Sequence, residues 1–155
     1  MKRISIFLAA ILSVAAGVSA SALAHSARAT AHASSAAKVE LRHTSLGQIL
    51  ANGSGFTLYM FSRDHGAHNS CAGIHGCEGV WPALLTRGRP SASSGVRGSL
   101  LSTIKLSGGR TQVTYAGHPL YLYRGDSSPA DTAYIGTSMF GGSWEAISSS
   151  GRAIR

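Results

Sequence analysis

The chain has 155 residues, with 14 Lys and Arg against 6 Asp and Glu, which gives a formal net charge of +8. This length predicts a single small domain. After residue 24 no apolar segment reaches the roughly 20 residues that a spanning helix needs, so we expect no transmembrane span in the mature chain.

The first 24 residues have the pattern of a signal peptide. Lys2 and Arg3 precede an apolar run over residues 4–18, and small residues follow up to Ala24. This order is typical of a secretory signal cleaved after a small residue. No cysteine stands directly after the apolar run, where a lipid would be attached, so we expect a secreted or cell-envelope protein without a lipid anchor.

The remaining chain divides by composition. Residues 25–40 are rich in Ala, Ser and His and lack hydrophobic periodicity, which predicts a flexible lead-in. Residues 41–152 form the predicted domain. It contains a first repeat at about 45–84, a linker at 85–99 rich in Ser, Gly and Arg, and a second repeat at about 100–148.

The two repeats share a motif. Residues 58–64 and 120–126 both read Leu-Tyr-x-aromatic-x-x-Asp, and a tryptophan follows each aspartate by 17 or 18 residues. Recurrence at a fixed spacing indicates two copies of one supersecondary unit. We predict structural roles for the shared residues, which are Leu58, Tyr59, Phe61, Asp64 and Trp81 in the first copy and Leu120, Tyr121, Tyr123, Asp126 and Trp144 in the second.

The motif is predicted to be a strand covered on both sides. Side chains alternate along a strand, so Leu58 and Met60 share one face while Tyr59 and Phe61 share the other. Both faces are apolar or aromatic. The second copy has the same alternation, and the downstream tryptophans are candidates to cover the aromatic face.

Turn signals place further strands around the motif. Asn-Gly at residues 52–53 predicts a hairpin between 46–51 and 56–61. In the second repeat, strands are predicted at 100–106, 111–115, 118–123 and 144–148. Nineteen glycines and the lack of a long amphipathic helix favour an all-β, mostly β fold of short antiparallel strands, with two pseudo-symmetric repeats in one small domain. The packing of the repeats, within one sheet or face to face, stays open.

A family resemblance rests on several of these features together. They are the doubled motif, Gly-x-x-Leu-Tyr before it, a cysteine pair followed by Trp-Pro-Ala-Leu, and the segment Gln112 to Tyr121. The combination resembles the bacterial family described as a secreted repeat of unknown function, whose members are often predicted lipoproteins with a Tyr-x-aromatic-x-x-Asp motif. The resemblance implies an exported bacterial protein and no established activity.

Cys71 and Cys77 are the only cysteines, and export places them where disulfides persist. We therefore predict a structural disulfide. The alternative is a zinc or copper site, because imidazole and thiolate groups suit both metals. Its candidate ligands would be the cysteines together with His65, His68 and His75, and the second repeat has no matching set.

Asp64 and Asp126 follow the two motif strands. An aspartate in that position typically accepts hydrogen bonds from nearby backbone N–H groups and closes a turn. Arg63 and Arg124 are candidate ion-pair partners for these carboxylates. The alternative is a hydrolase in which the two carboxylates act as general acid and base.

The leading functional hypothesis is an exported, non-enzymatic domain that binds at the cell envelope. Arg87, Arg89 and Arg97 lie in the linker and are candidates to contact an anionic envelope polymer or lipid head groups. We expect no nucleic-acid partner for an exported protein, and no cofactor is required. Metal handling by residues 65–77 and hydrolysis by Asp64 and Asp126 are the alternatives.

Overall fold

A computed structural model of the chain describes residues 35–155. The predicted signal peptide, and the lead-in as far as residue 34, lie outside the described residues. The described part is mostly strand. Its strands are β1 (Lys38–Thr44), β2 (Gly47–Asn52), β3 (Tyr59–Phe61), β4 (Ser91–Ala92), β5 (Leu101–Lys105), β6 (Thr111–Tyr115), β7 (His118–Pro119), β8 (Thr137–Met139), β9 (Gly142–Ile147) and β10 (Ala153–Ile154).

Helical structure in this part of the chain is short. It comprises one α-helix, α1 (Cys77–Val80), and 3-10 turns at Cys71–Gly73, Gly98–Leu100 and Ser107–Gly109. Within residues 35–155 no helix has the length and apolar character needed to span a membrane. The predicted all-β fold class is confirmed.

The first sheet begins earlier than the sequence suggested. β1 starts at Lys38, within the predicted lead-in, and pairs antiparallel with β2 and parallel with β4. Val39 is fully buried. The sequence did not predict this start because only Val39 and Leu41 are apolar among residues 38–41. So short an alternation cannot be distinguished from a polar tail.

The predicted hairpin between residues 46–51 and 56–61 forms only at its turn. Ala51 and Thr57 make an isolated bridge, and the Leu58 N–H donates to the Leu50 carbonyl at 3.0 Å. The chain then leaves β2, whose principal partner is β1. The Asn-Gly turn was predicted correctly, but it does not specify the partner of the strand that follows it.

The hairpins of the second repeat are confirmed. β5 pairs antiparallel with β6 from Leu101 opposite Tyr115 to Lys105 opposite Thr111. β6 then pairs with β7 across the tight turn at Ala116 and Gly117. Gly117 has φ +84°, a conformation that residues with a Cβ rarely adopt.

The two repeats interlock through their last strands. β3, from the first repeat, pairs with β9 so that Tyr59 lies opposite Ala146 and Phe61 opposite Trp144. The second repeat mirrors this arrangement, because residues 82–84 run beside residues 120–122 with Ala83 opposite Tyr121. Each motif strand is therefore paired with the tryptophan-bearing segment of the other repeat.

The two motif strands meet at their tyrosines. Tyr59 and Tyr121 exchange both backbone hydrogen bonds, each with an N–O distance of 2.9 Å. This pair lies on the pseudo-twofold axis that relates the repeats. The open question of packing is thereby answered: the motif strands lie side by side, and each repeat completes the other.

The predicted alternation of the motif separates two buried clusters. Leu58, Met60 and Leu120 pack into an aliphatic core together with residues of β1, β2 and β6. Tyr59, Phe61, Tyr121 and Tyr123 lie on the opposite face. They pack there with both tryptophans and the two cysteines in an aromatic core.

Candidate functional site

Two tyrosine–aspartate pairs connect the repeats within the aromatic core. The Tyr59 hydroxyl donates to Asp126 Oδ1 at 3.0 Å, and the Tyr121 hydroxyl donates to Asp64 Oδ2 at 2.8 Å. Both tyrosines are fully buried. Each bond crosses the pseudo-twofold axis, so each aspartate serves the tyrosine of the other repeat.

The two aspartates differ in their second oxygen. Asp64 Oδ1 accepts the backbone N–H of Ser70 at 2.8 Å, which closes the turn after the first motif. Asp126 Oδ2 is buried and has no hydrogen-bond partner among the described residues. Both oxygens of Asp64 thus accept a hydrogen bond, whereas only one oxygen of Asp126 does so within the described residues.

Burial shifts the acidity of all four groups. Loss of water around Asp126 raises the pKa of its carboxyl to about 6. Desolvation also raises the pKa of Asp64, although the hydrogen bond from Ser70 opposes the shift. The pKa values of Tyr59 and Tyr121 are raised first by burial and then by the facing carboxylate, so both phenols are neutral at physiological pH.

The tryptophans stack on each other at the centre of this core. The Trp81 and Trp144 ring centroids are 4.1 Å apart and their planes are almost parallel, at 1°. Tyr59 meets Trp81 edge-on and Tyr121 meets Trp144 edge-on, both at 5.1 Å. The tryptophans therefore obey the same pseudo-twofold relation as the tyrosines.

The indole nitrogens again distinguish the two halves. Trp144 Nε1 donates to the Met139 carbonyl at 3.2 Å. Trp81 Nε1 is buried without an acceptor in the described part of the chain. Both unpartnered polar atoms, Trp81 Nε1 and Asp126 Oδ2, belong to the residues that surround Tyr59. The two halves of the aromatic core therefore pack alike but differ in how many of their buried polar atoms have a hydrogen-bond partner.

Cys71 and Cys77 form the predicted disulfide, with Cα atoms 5.4 Å apart and both residues buried. They cannot act as thiolate ligands in this state. His65, His68 and His75 are exposed on the surrounding loop. Within residues 35–155 no three His, Cys, Asp or Glu side chains are grouped closely enough to hold a metal ion. The structure therefore adds no support to the zinc or copper hypothesis.

A shallow groove of about 440 Å³ follows the disulfide loop. His75 and Glu78 line it together with the backbone of three glycines. Glu78 is held by two hydrogen bonds from the Arg110 guanidinium, at 3.0 and 3.4 Å. The groove is open and polar, and it lies beside the site described above rather than within it.

Arg63 and Arg124 do not contact the motif aspartates. Arg63 donates instead to the Phe140 carbonyl at 3.0 Å, and neither arginine has an ion pair within residues 35–155. Because the aspartates turn inward to the tyrosines, neighbouring basic side chains remain outside. The role of the aspartates is thus set by a partner about 60 residues away in sequence, not by the local turn alone.

Sequence reasoning missed three contributors to this core. Ser70 supplies the N–H that satisfies Asp64, while Tyr134 and Phe140 pack at its rim. They lie in segments without a strand pattern. A sequence signal exists for Tyr134 and Phe140, since an aromatic residue in a polar loop often marks a packing contact.

Comparison with known proteins gives one match. The profile of a family described as "secreted repeat of unknown function" matches the chain twice, over residues 41–85 and 102–148, which together are more than half of its length. No curated protein and no solved structure matches the chain significantly. The two matched segments correspond to the two interlocked repeats.

Proposed function

Because the chain belongs to the family of secreted repeats of unknown function, we propose that it is a non-enzymatic exported domain that binds an anionic polymer of the cell envelope. The observation that carries this proposal is the distribution of charge. Every acidic side chain of the protein is engaged within the fold, and many basic side chains are left without a carboxylate partner.

The acidic side chains have two kinds of partner. Three form ion pairs: Glu40 with Lys38 and Arg42, Glu78 with Arg110, and Glu145 with Arg155. The others are the two core aspartates and Asp131, which accepts the backbone N–H groups of Ala133 and Ser127. Within residues 35–155 the basic side chains without an ion pair are Arg63, Arg87, Arg89, Arg97, Lys105, Arg124 and Arg152.

Backbone pairing links the segments that carry three of these residues, Arg87, Arg89 and Lys105, with the start of β1, which carries Lys38. These four residues define a basic edge, in which Lys38 also pairs with Glu40. All four side chains are exposed. Ala37, next to Lys38, bonds through its N–H to Thr86 Oγ1 and through its carbonyl to the Ser91 N–H, each at 2.9 Å. These bonds hold the stretch that contains both arginines against the start of β1.

Lys105 joins the basic edge through Thr111. The Lys105 ammonium donates to Thr111 Oγ1 at 2.9 Å, and the Thr111 carbonyl accepts the Thr86 N–H at 2.9 Å. Cations carried on neighbouring segments suit a linear polyanion better than a compact ligand, because successive charges on the polymer can each meet one side chain.

The test is binding of polyphosphate chains, used as the polyanion probe, to the exported protein in calorimetry over a range of salt concentrations. We expect affinity that falls steeply as salt rises, because exposed charges are screened. Arg87→Gln/Arg89→Gln should weaken binding by about tenfold, since each exposed ion pair contributes up to about 1 kcal/mol.

A matched control carries the same loss of charge elsewhere. Arg124→Gln/Arg152→Gln removes two exposed arginines that lie outside the basic edge, and it should retain most of the affinity. Equal losses in the two double variants would mean that net charge alone drives binding. Binding to anionic phosphatidylglycerol vesicles but not to the polymer would contradict the proposed partner.

A further inference from the structure

A continuous column of aromatic rings runs through the core, independently of the basic edge. Its members in order are Phe61, Trp144, Trp81, Tyr123 and Tyr134, and successive centroids are 4.2, 4.1, 4.3 and 4.3 Å apart. Phe61 is 1% exposed, whereas Tyr134 is only partly buried. The column therefore joins the protein interior to its surface.

Four of the five rings belong to the side chains that lose one electron most readily, tryptophan and tyrosine. Rings in van der Waals contact exchange electrons much faster than rings separated by aliphatic packing, since their π systems overlap. An electron vacancy created at Tyr134 can thus move inward, by way of Tyr123, to Trp81 and Trp144. Both tyrosines are partly exposed, so each releases its proton to water when it is oxidised and takes one back from water when the next ring reduces it. Core packing alone requires buried rings, but it does not require them to be in unbroken contact with the surface.

Tyr59, which lies beside the middle ring of the column, has what tyrosine oxidation requires. A neutral phenol that gives up an electron must release its proton at the same time, so an acceptor must already be in place. Tyr59 contacts Trp81 edge-on and donates its hydrogen bond to Asp126. No movement larger than a proton shift along that bond is needed.

The difference between the two halves points to the Tyr59 side. Asp126 is poorly stabilised as an anion, because its second oxygen lacks a partner among the described residues and burial raises its pKa, so it is the better proton acceptor. Within residues 35–155 Trp81 Nε1 has no acceptor, so an oxidised Trp81 keeps its proton and remains a strong oxidant. The unpartnered donor and acceptor, which a structural core would avoid, both favour transfer to Tyr59.

We propose that the column is a one-electron relay with Tyr59 as its final electron donor. In the first step a peroxide-derived oxygen radical takes one electron and the phenol proton from Tyr134 and is thereby reduced to water or an alcohol. In the last step the Trp81 radical cation takes one electron from Tyr59. The Tyr59 proton moves to Asp126 Oδ1, so the products are neutral Trp81, the Tyr59 phenoxyl radical and a protonated Asp126. Charge, atoms and electrons balance within these three residues.

The experiment is flash photolysis of the protein with ruthenium(III) tris-bipyridine, generated by light, as the one-electron oxidant. Transient absorption and freeze-quench electron paramagnetic resonance would follow tryptophan and tyrosine radicals. In the wild type we expect a tryptophan radical that decays into a tyrosine radical. Tyr59→Phe should slow the tryptophan decay by about tenfold or more, as a barrier about 1.4 kcal/mol higher would do.

Two further variants make the result specific. Asp126→Asn keeps an acceptor for the Tyr59 hydroxyl but cannot take its proton, so it should lower the yield of tyrosine radical and leave tryptophan oxidation intact. Tyr115→Phe is the matched control. Tyr115 is also fully buried, but it lies in the aliphatic core and bonds to Arg97 N–H and the Ser149 carbonyl.

The relay is contradicted if Tyr59→Phe and Tyr115→Phe change the decay equally, or if Asp126→Asn leaves the yield of tyrosine radical unchanged. It is also contradicted if ruthenium(III) yields no aromatic radical in the wild type. Near-ultraviolet circular dichroism of each variant would establish that the aromatic core is intact. None of these outcomes depends on polymer binding, so the two proposals succeed or fail separately.

Discussion

Replacing Asp126 by asparagine tests the environment that the structure assigns to this carboxyl. Its pKa is raised from 3.8 to about 6, so the folded state binds the proton more tightly than the unfolded state. Protonation therefore stabilises the fold fully below pH 3.8, and that contribution is lost as pH rises through about 6. Asparagine stays neutral and still offers an oxygen to Tyr59.

The size of the effect follows from the shift. About two pKa units at about 1.4 kcal/mol each set a ceiling near 3 kcal/mol. Asp126 is only half-buried, and solvent screening reduces the effect to about 1 kcal/mol. Relative to the wild type, Asp126→Asn should thus gain about 1 kcal/mol in unfolding free energy between about pH 4 and pH 7.

Urea denaturation followed by tryptophan fluorescence measures this difference at several pH values. Asp64→Asn is the matched control. Asp64 accepts hydrogen bonds through both oxygens, from Ser70 and from Tyr121, whereas asparagine has only one side-chain oxygen. Asp64→Asn should therefore lower the free energy of unfolding by about 1–2 kcal/mol at pH 7. If Asp126→Asn were destabilised as much as Asp64→Asn at pH 7, the two carboxylates would be equivalent and our account of Asp126 would be wrong.

Three other predictions concern the fold. Cys71→Ser/Cys77→Ser should lower the free energy of unfolding by about 2 kcal/mol, because the disulfide no longer restricts the unfolded chain to a closed loop. An unchanged urea midpoint would contradict a structural role. Fragments 35–99 and 100–155 should each show an unfolded circular dichroism spectrum, since each lacks the strand that pairs with its motif; a cooperative melt of either alone would refute the interlock. Trp144→Phe should cost about 1 kcal/mol more than Trp81→Phe in calorimetric stability, because Trp144 has an indole hydrogen bond to lose whereas Trp81 Nε1 has no acceptor within residues 35–155.

Local pattern determines the motif strands and their surroundings. Alternation of aliphatic with aromatic side chains at residues 58–61 predicts two covered faces, and the aliphatic and aromatic cores lie on those faces. The disulfide was equally predictable, because the chain offers only Cys71 and Cys77 for pairing. Such features depend on neighbouring residues, and neighbours are what a single sequence displays directly.

The function of the aspartates could not be predicted in this way. Asp64 and Asp126 follow identical motifs, and the turn-closing role expected for both describes only the Ser70 contact of Asp64. Their main partners are tyrosines of the opposite repeat. Partner choice between repeats depends on where the chain crosses itself, and no short pattern encodes that crossing.

The sequence by itself determined that this protein is a β protein built from two copies of one unit. Periodicity and duplication are local properties, so one chain suffices to see them. Only the tertiary structure decided that the copies exchange their last strands. It also decided that the two equivalent aspartates, Asp64 and Asp126, have different hydrogen-bond partners. Strand edges carry the same backbone groups everywhere, so pairing is chosen by the packing of the whole chain, which also set the surroundings of Tyr59 and Tyr121.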